Sequence, residues 1–108
     1  FRGGLGQDCE VEVRTESDVQ LSLLSDRRKY PATGLLGGKS GANSLIKFDD
    51  GSEPHPKSRT VVKPGTRVIL RYAGGGGYGD PKERDPKAVK NDILNGYISE
   101  DAAERDYT

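Results

Sequence analysis

Residues Arg67–Pro81 read RVILRYAGGGGYGDP, and the rest of the chain is organised around this stretch. Val68, Leu70 and Tyr72 alternate with Arg67, Ile69 and Arg71, the period-2 pattern of a β-strand. The strand runs directly into Gly74, Gly75, Gly76 and Gly77. Consecutive glycines carry no Cβ, so backbone here can approach another group closely, and Asp80 and Pro81 end that freedom. Two readings follow: a tight corner between the strand and a helix, or a cradle of backbone N–H groups for an anion or phosphate.

Downstream, Asp85 and Pro86 form an N-cap and first-turn pair, Val89 and Ile93 share a helical face, and Gly96 occupies the position of a C′ glycine. A second helix is capped by Ser99, with Glu100 and Asp101 at the positive end of its dipole. Residues 85–108 therefore read as a C-terminal helical hairpin.

Upstream, Cys9, Val11 and Val13 alternate with Glu10, Glu12 and Arg14, and Val19, Leu21 and Leu23 alternate with Gln20 and Ser22. The polar turn Thr15 to Asp18 between these runs predicts that they pair as a hairpin. From Ser25 to Ser44 periodicity disappears into the basic cluster Arg27, Arg28, Lys29, then Pro31 and the glycines Gly34, Gly37, Gly38 and Gly41. So long a loop points to function, a covering partner or mobility. Leu45 to Phe48 reads as a short strand closed by the turn Asp49, Asp50, Gly51. Thr60 to Val62 is a further extended run, followed by a type II turn at Pro64 and Gly65. The predicted fold is mainly β, a small antiparallel barrel or sandwich-like sheet with a C-terminal helical hairpin, α+β as a whole. Residues 1–108 form one domain, β-rich with long glycine-rich loops over 1–84 and helical over 85–108.

The 108 residues are 31% hydrophobic, with 15 Gly, 6 Pro, two Phe and no Trp or Met, so any core is modest and a covering neighbour is expected. Seventeen basic and seventeen acidic residues are interspersed, which argues against nucleic acid or a membrane as partner. A lone Cys9 suits a reducing cytoplasm, and no apolar run approaches the roughly 20 residues of a membrane span. A start at Phe1 without an initiator methionine predicts a piece of a longer polypeptide.

Gly37, Gly38, Lys39 and Ser40 imitate the end of a Walker A loop, but Thr33 stands where that motif needs its first glycine. Gly74, Gly76 and Gly79 satisfy GxGxxG, yet Asp80 and Pro81 follow where a dinucleotide-binding helix should begin. His55, between Pro54 and Pro56, is the only histidine, and Asp49, Asp50 and Glu53 lack the spacing of a calcium loop. No catalytic or metal-binding residues are predicted. Candidate contacts to an anion or a partner are Arg27, Arg28, Gly37, Gly38, Gly74, Gly75, Gly76 and Gly77, the arginines because guanidinium forks match planar anions. A self-standing anion-binding or interaction module is therefore one reading of the residues.

The order of segments supplies another. RGGLGQ at Arg2 to Gln7, SLLSDRRKYPATGLLGGKSG at Ser22 to Gly41, VKPGTRV at Val62 to Val68, GGGGYGDP, RDP and the closing AAERDYT resemble the C-terminal end of the hydantoinase B/oxoprolinase family. That family includes N-methylhydantoinase B subunits, 5-oxoprolinases, and acetone and acetophenone carboxylase relatives. The resemblance implies a cytoplasmic enzyme that opens a cyclic amide with ATP, alongside an A-type partner that carries the ATP-binding chemistry. It implies ATP and a divalent metal for the complete enzyme but none bound by this segment, which would supply structure and subunit contacts. Family motifs match at Ser25 to Arg28, Gly37, Gly38 and Gly74 to Gly77, with shaping or anion-positioning roles. The resemblance does not separate the hydantoinase, oxoprolinase and carboxylase branches.

Overall fold

The computed structural model describes residues 1–108. Its strands are β1 (Gln7–Glu12), β2 (Val19–Ser22), β3 (Leu45–Phe48), β4 (Arg59–Val62) and β5 (Arg67–Tyr72). A short 3-10 turn (Pro81–Glu83) leads to helices α1 (Pro86–Leu94) and α2 (Glu100–Tyr107). Three strands form one antiparallel sheet in the order β1-β5-β3, and β2 pairs with β4 in a second.

The predicted hairpin between the first two strands does not form. β1 pairs instead with β5, in a register that sets Cys9 opposite Leu70 and Val11 opposite Val68. β3 flanks β5 on its other edge, with Ile46 opposite Leu70 and Phe48 opposite Val68. Both edges of β5 are thus hydrogen-bonded, and Cys9, Val11, Ile46, Phe48, Val68 and Leu70 fall on one face. The Val13 amide donates to the Thr66 carbonyl and Gly65 to Val13, so the first ladder continues into the Pro64–Gly65 turn. Leu23 donates to the Ser58 carbonyl and Ser25 to Pro56, which carries β2 past the end of β4. The polar link at Thr15–Asp18 therefore joins two sheets; period 2 alone could not choose among neighbours with the same alternation.

Leu23, Ile46 and Val68 form the core, with Leu21, Phe48 and Leu70 packed against it. Only 7 of 108 residues are buried, which leaves the two sheets open and unclosed into a barrel. The radius of gyration is 17.3 Å, against about 13 Å for a compact chain of this length, and the body measures 53 × 26 × 17 Å. A shape this thin exposes apolar side chains that a closed domain would cover.

The turns and caps follow the local chemistry. Gly65 has φ +85° and the Thr66 amide donates to the Lys63 carbonyl, as a type II turn requires. The Asp85 carboxylate accepts from the Lys87 amide to start α1, whose end is marked by Asn95 and by Gly96 at φ +74°. Ser99 Oγ accepts from the Ala102 amide and starts α2, which buries Ala103. The 3-10 turn was not anticipated; the Asp80 carboxylate caps it by accepting from the Lys82 amide.

The loop from Ser25 to Ser44 has no helix or strand, but it is pinned. Ser44 donates its amide to the Arg27 carbonyl and its hydroxyl to the Asp26 carbonyl, holding Arg27 at φ +64°. Further on, Gly38 donates to the Leu35 carbonyl around Leu36 at φ +49° and Gly37 at φ +89°. Positive φ at both central positions is the type I′ pattern, which favours Asn-Gly. A leucine in left-handed backbone costs about 1 kcal/mol or more.

Candidate functional site

The glycine run is the middle layer of three extended segments. On one side lies the N-terminal stretch: Gly75 donates to the Gly4 carbonyl and Tyr78 to Phe1, each at 2.9 Å. On the other lies the long loop: Gly77 donates to the Lys39 carbonyl and Gly79 to Leu35, again at 2.9 Å, and Leu35 donates back to Gly77. Leu35 and Tyr78 form a parallel bridge. The layers are backbone against backbone. A Cβ on Gly38 would stand 2.1 Å from the Gly77 carbonyl oxygen, and one on Gly76 would stand 2.1 Å from that of Thr33. At Gly38 and Gly76 glycine is needed because no side chain fits between the segments, a reason different from turn geometry.

This arrangement bears on the anion reading. The amides of Gly75, Gly77, Tyr78 and Gly79 are already donated to carbonyls, so a phosphate on this run would have to displace them. No group of three or more His, Cys, Asp or Glu side chains stands where it could hold a metal ion.

Beside the layered segments lies a cleft of about 300 Å³, lined in part by Lys39, Ser40, Arg84, Asp106 and Tyr107. Its cationic side chains are tied down. Lys39 Nζ lies 2.9 Å from Asp106 Oδ1, and Asp106 Oδ2 is held at 2.7 Å by Nη2 of Arg105, which does not line the cleft. The hydrogen bonds from Arg105 and then Lys39 hold the Asp106 carboxyl at about 2, well below its ordinary value.

Next to the cleft, Asp92 of α1 is buried and receives two arginines. Arg2 Nε donates at 2.8 Å and Arg84 Nη2 at 2.6 Å, both to Oδ2. Burial pushes the Asp92 carboxyl up, but the hydrogen bonds and charges of Arg2 and Arg84 outweigh it and hold the carboxyl below its ordinary value. The arginines also stand over aromatic rings, Arg2 5.4 Å from the centroid of Tyr97 and Arg84 5.3 Å from that of Tyr107. The cluster ties the N-terminal segment to both helices and to the turn before them. Sequence reading missed it. The available signal was Asp92 itself, a carboxylate three residues after Val89 on the apolar stripe of α1.

The predicted contact residues separate into two places. Gly38 and Gly74–Gly77 meet in the layered region, and Gly37 abuts Asp80, where a Cβ would be 3.5 Å from the Asp80 amide nitrogen. Arg27 and Arg28 line a different hollow of about 240 Å³ with Lys29, His55 and Lys57. Arg28 Nη2 pairs with Glu53 at 3.2 Å while its Nη1 is buried without a hydrogen-bond partner. Asp26 pairs with Lys57 at 3.0 Å, and His55 Nδ1 accepts from the Lys57 amide. Neither place gathers a nucleophile with a base.

The chain is thus a thin two-sheet segment closed by a glycine-layered junction and two helices. The chain belongs to the hydantoinase B/oxoprolinase family, whose model matches residues 1–81, in agreement with the ordered motifs of the sequence. It is 34% identical over 115 residues to caprolactamase subunit beta of Pseudomonas jessenii, a match covering 99% of this chain and 20% of that protein. Acetophenone carboxylase delta subunit of Aromatoleum aromaticum is 53% identical over 86 residues, covering 77% of this chain and 12% of that protein. The 5-oxoprolinase of Saccharomyces cerevisiae is 32% identical over 88 residues, covering 77% of this chain and 7% of that protein. The chain spans a fifth or less of the length of these relatives. No solved structure matches it.

Proposed function

We propose that this chain is a structural and docking domain of a larger cytoplasmic enzyme of the hydantoinase/oxoprolinase type, and that it is catalytically silent alone. The observation that carries this reading is an open, 53 Å long body with 7 buried residues in a segment that aligns to a fifth or less of its relatives. Such a body has too small a core to be rigid by itself and gains order from a covering neighbour. In the proposed parent enzyme, ATP-dependent hydrolysis opens the C–N bond of a cyclic amide such as a hydantoin or 5-oxoproline. An A-type partner holds the ATP, and this domain fixes the geometry of one wall.

The test compares the chain alone with the complete polypeptide and its A-type partner. Only the complete assembly is expected to release the ring-opened acid from hydantoin or 5-oxoproline with ATP. Turnover by the 108-residue chain would refute the silent-domain reading.

A second reading is favoured by the 53% identity to a carboxylase delta subunit: the parent belongs to the carboxylase branch. Carboxylation of acetophenone by the complete assembly with ATP and bicarbonate, without opening of any cyclic amide, would select it.

A further inference from the structure

We infer that Leu36 is an interface anchor, the residue through which this domain docks into an apolar pocket on the remainder of its own polypeptide. The inference rests on the proposed function and deepens it by naming the residue and the occupant. Leu36 occupies the first central position of the type I′ turn Leu35–Gly38, where its φ is +49°. Asn or Gly would relieve that backbone, and a leucine there gains nothing within this chain, because it is 69% exposed. A residue that is both strained and exposed conflicts with local preference, and such conflicts mark functional positions.

The surroundings make the turn a rigid presenter. The Leu35 carbonyl accepts from Gly38 and Gly79 while its amide donates to Gly77, so the base of the turn is locked to the glycine layer. Leu35, 61% exposed, and Tyr78, 47% exposed, are paired in the backbone bridge at the base of the turn and are further exposed apolar side chains there. A pre-ordered turn with an exposed apolar side chain loses little conformational freedom on docking, the property of interface anchors. The remainder of the polypeptide is the occupant because the relatives carry at least four-fifths of their length outside the matched region, whereas this body is only 17 Å thick.

The experiment uses the full-length polypeptide. With p-benzoylphenylalanine in place of Leu36, irradiation is expected to give a cross-link to a peptide of the same chain outside these 108 residues. Cross-linking to a partner subunit, to a second copy, or to solvent only would overturn the inference. In the same polypeptide, Leu36→Asn is expected to lower the thermal midpoint and Leu36→Met to retain it. A raised midpoint for Leu36→Asn would show strain relief without lost docking and would also overturn it. Ring-opening activity of the unsubstituted assembly is measured in parallel. Its absence refutes the cyclic-amide reading, while the cross-link and the midpoint still decide the docking claim.

Discussion

Arg84 donates to the buried Asp92 carboxylate at 2.6 Å from a side chain that is itself only 13% exposed. Arg2 reaches the same oxygen from the far end of the sequence at 2.8 Å. One carboxylate thus balances two guanidinium groups, and removing its charge leaves both without an anionic partner in a desolvated site. Asp92→Asn is expected to destabilise the fold by about 3 kcal/mol or more, measured as a shift in urea midpoint. A shift under half that size would show that the arginines find water when the carboxylate is lost.

Four carboxyls, Asp8, Asp50, Asp92 and Asp106, are depressed, and the acid response includes the two that tie the helices to distant segments. Asp92 and Asp106 are both held below their ordinary value of 3.8, Asp106 at about 2. A folded-state pKa lower than the unfolded one gives stability that is fully present above about pH 4 and is lost as pH falls toward 2. For Asp106 the loss is on the order of 1 kcal/mol, since Lys39 and Arg105 are exposed and screened. Urea midpoints measured from pH 5 down to about pH 2 should fall, and Asp106→Asn should flatten part of that limb. An unchanged slope would remove the assigned role of Asp106.

Alanine substitutions in the glycine layers should differ sharply between neighbours. A Cβ on Gly76 would lie 2.1 Å from the Thr33 carbonyl oxygen, whereas one on Gly77 meets nothing nearer than 3.5 Å. Gly76→Ala is expected to cost about 3 kcal/mol and Gly77→Ala under about 1 kcal/mol. Gly4→Ala, with open space around its Cβ, should behave like Gly77→Ala. Equal costs across the run would mean that turn conformation, and not layer packing, accounts for the glycines.

Hydrogen exchange should divide the long loop. The amides of Leu35, Gly38, Gly41 and Ser44 donate to carbonyls and are expected to exchange slowly, while those of Arg28, Lys29 and Tyr30 have no such partner and should exchange rapidly. Uniformly rapid exchange from Ser25 to Ser44 would show that the loop leaves the glycine run in solution.

By itself the sequence determined the features that depend on a few neighbouring residues. The strand at Arg67–Tyr72, the turn at Pro64–Gly65 and both helix starts lie where alternation and capping side chains put them. These interactions are local, so residue type and spacing are sufficient. Pairing was decided only by tertiary structure: Gln7 sits opposite Tyr72, and Val19 opposite Val62, because antiparallel partners with the same alternation are interchangeable until the whole chain is packed. The glycine run was legible as a place of close approach, but not what approaches it. That role went to Gly4, Thr33 and Lys39, brought in by ladders and by the Arg2–Asp92 pair, which no spacing rule along the chain records.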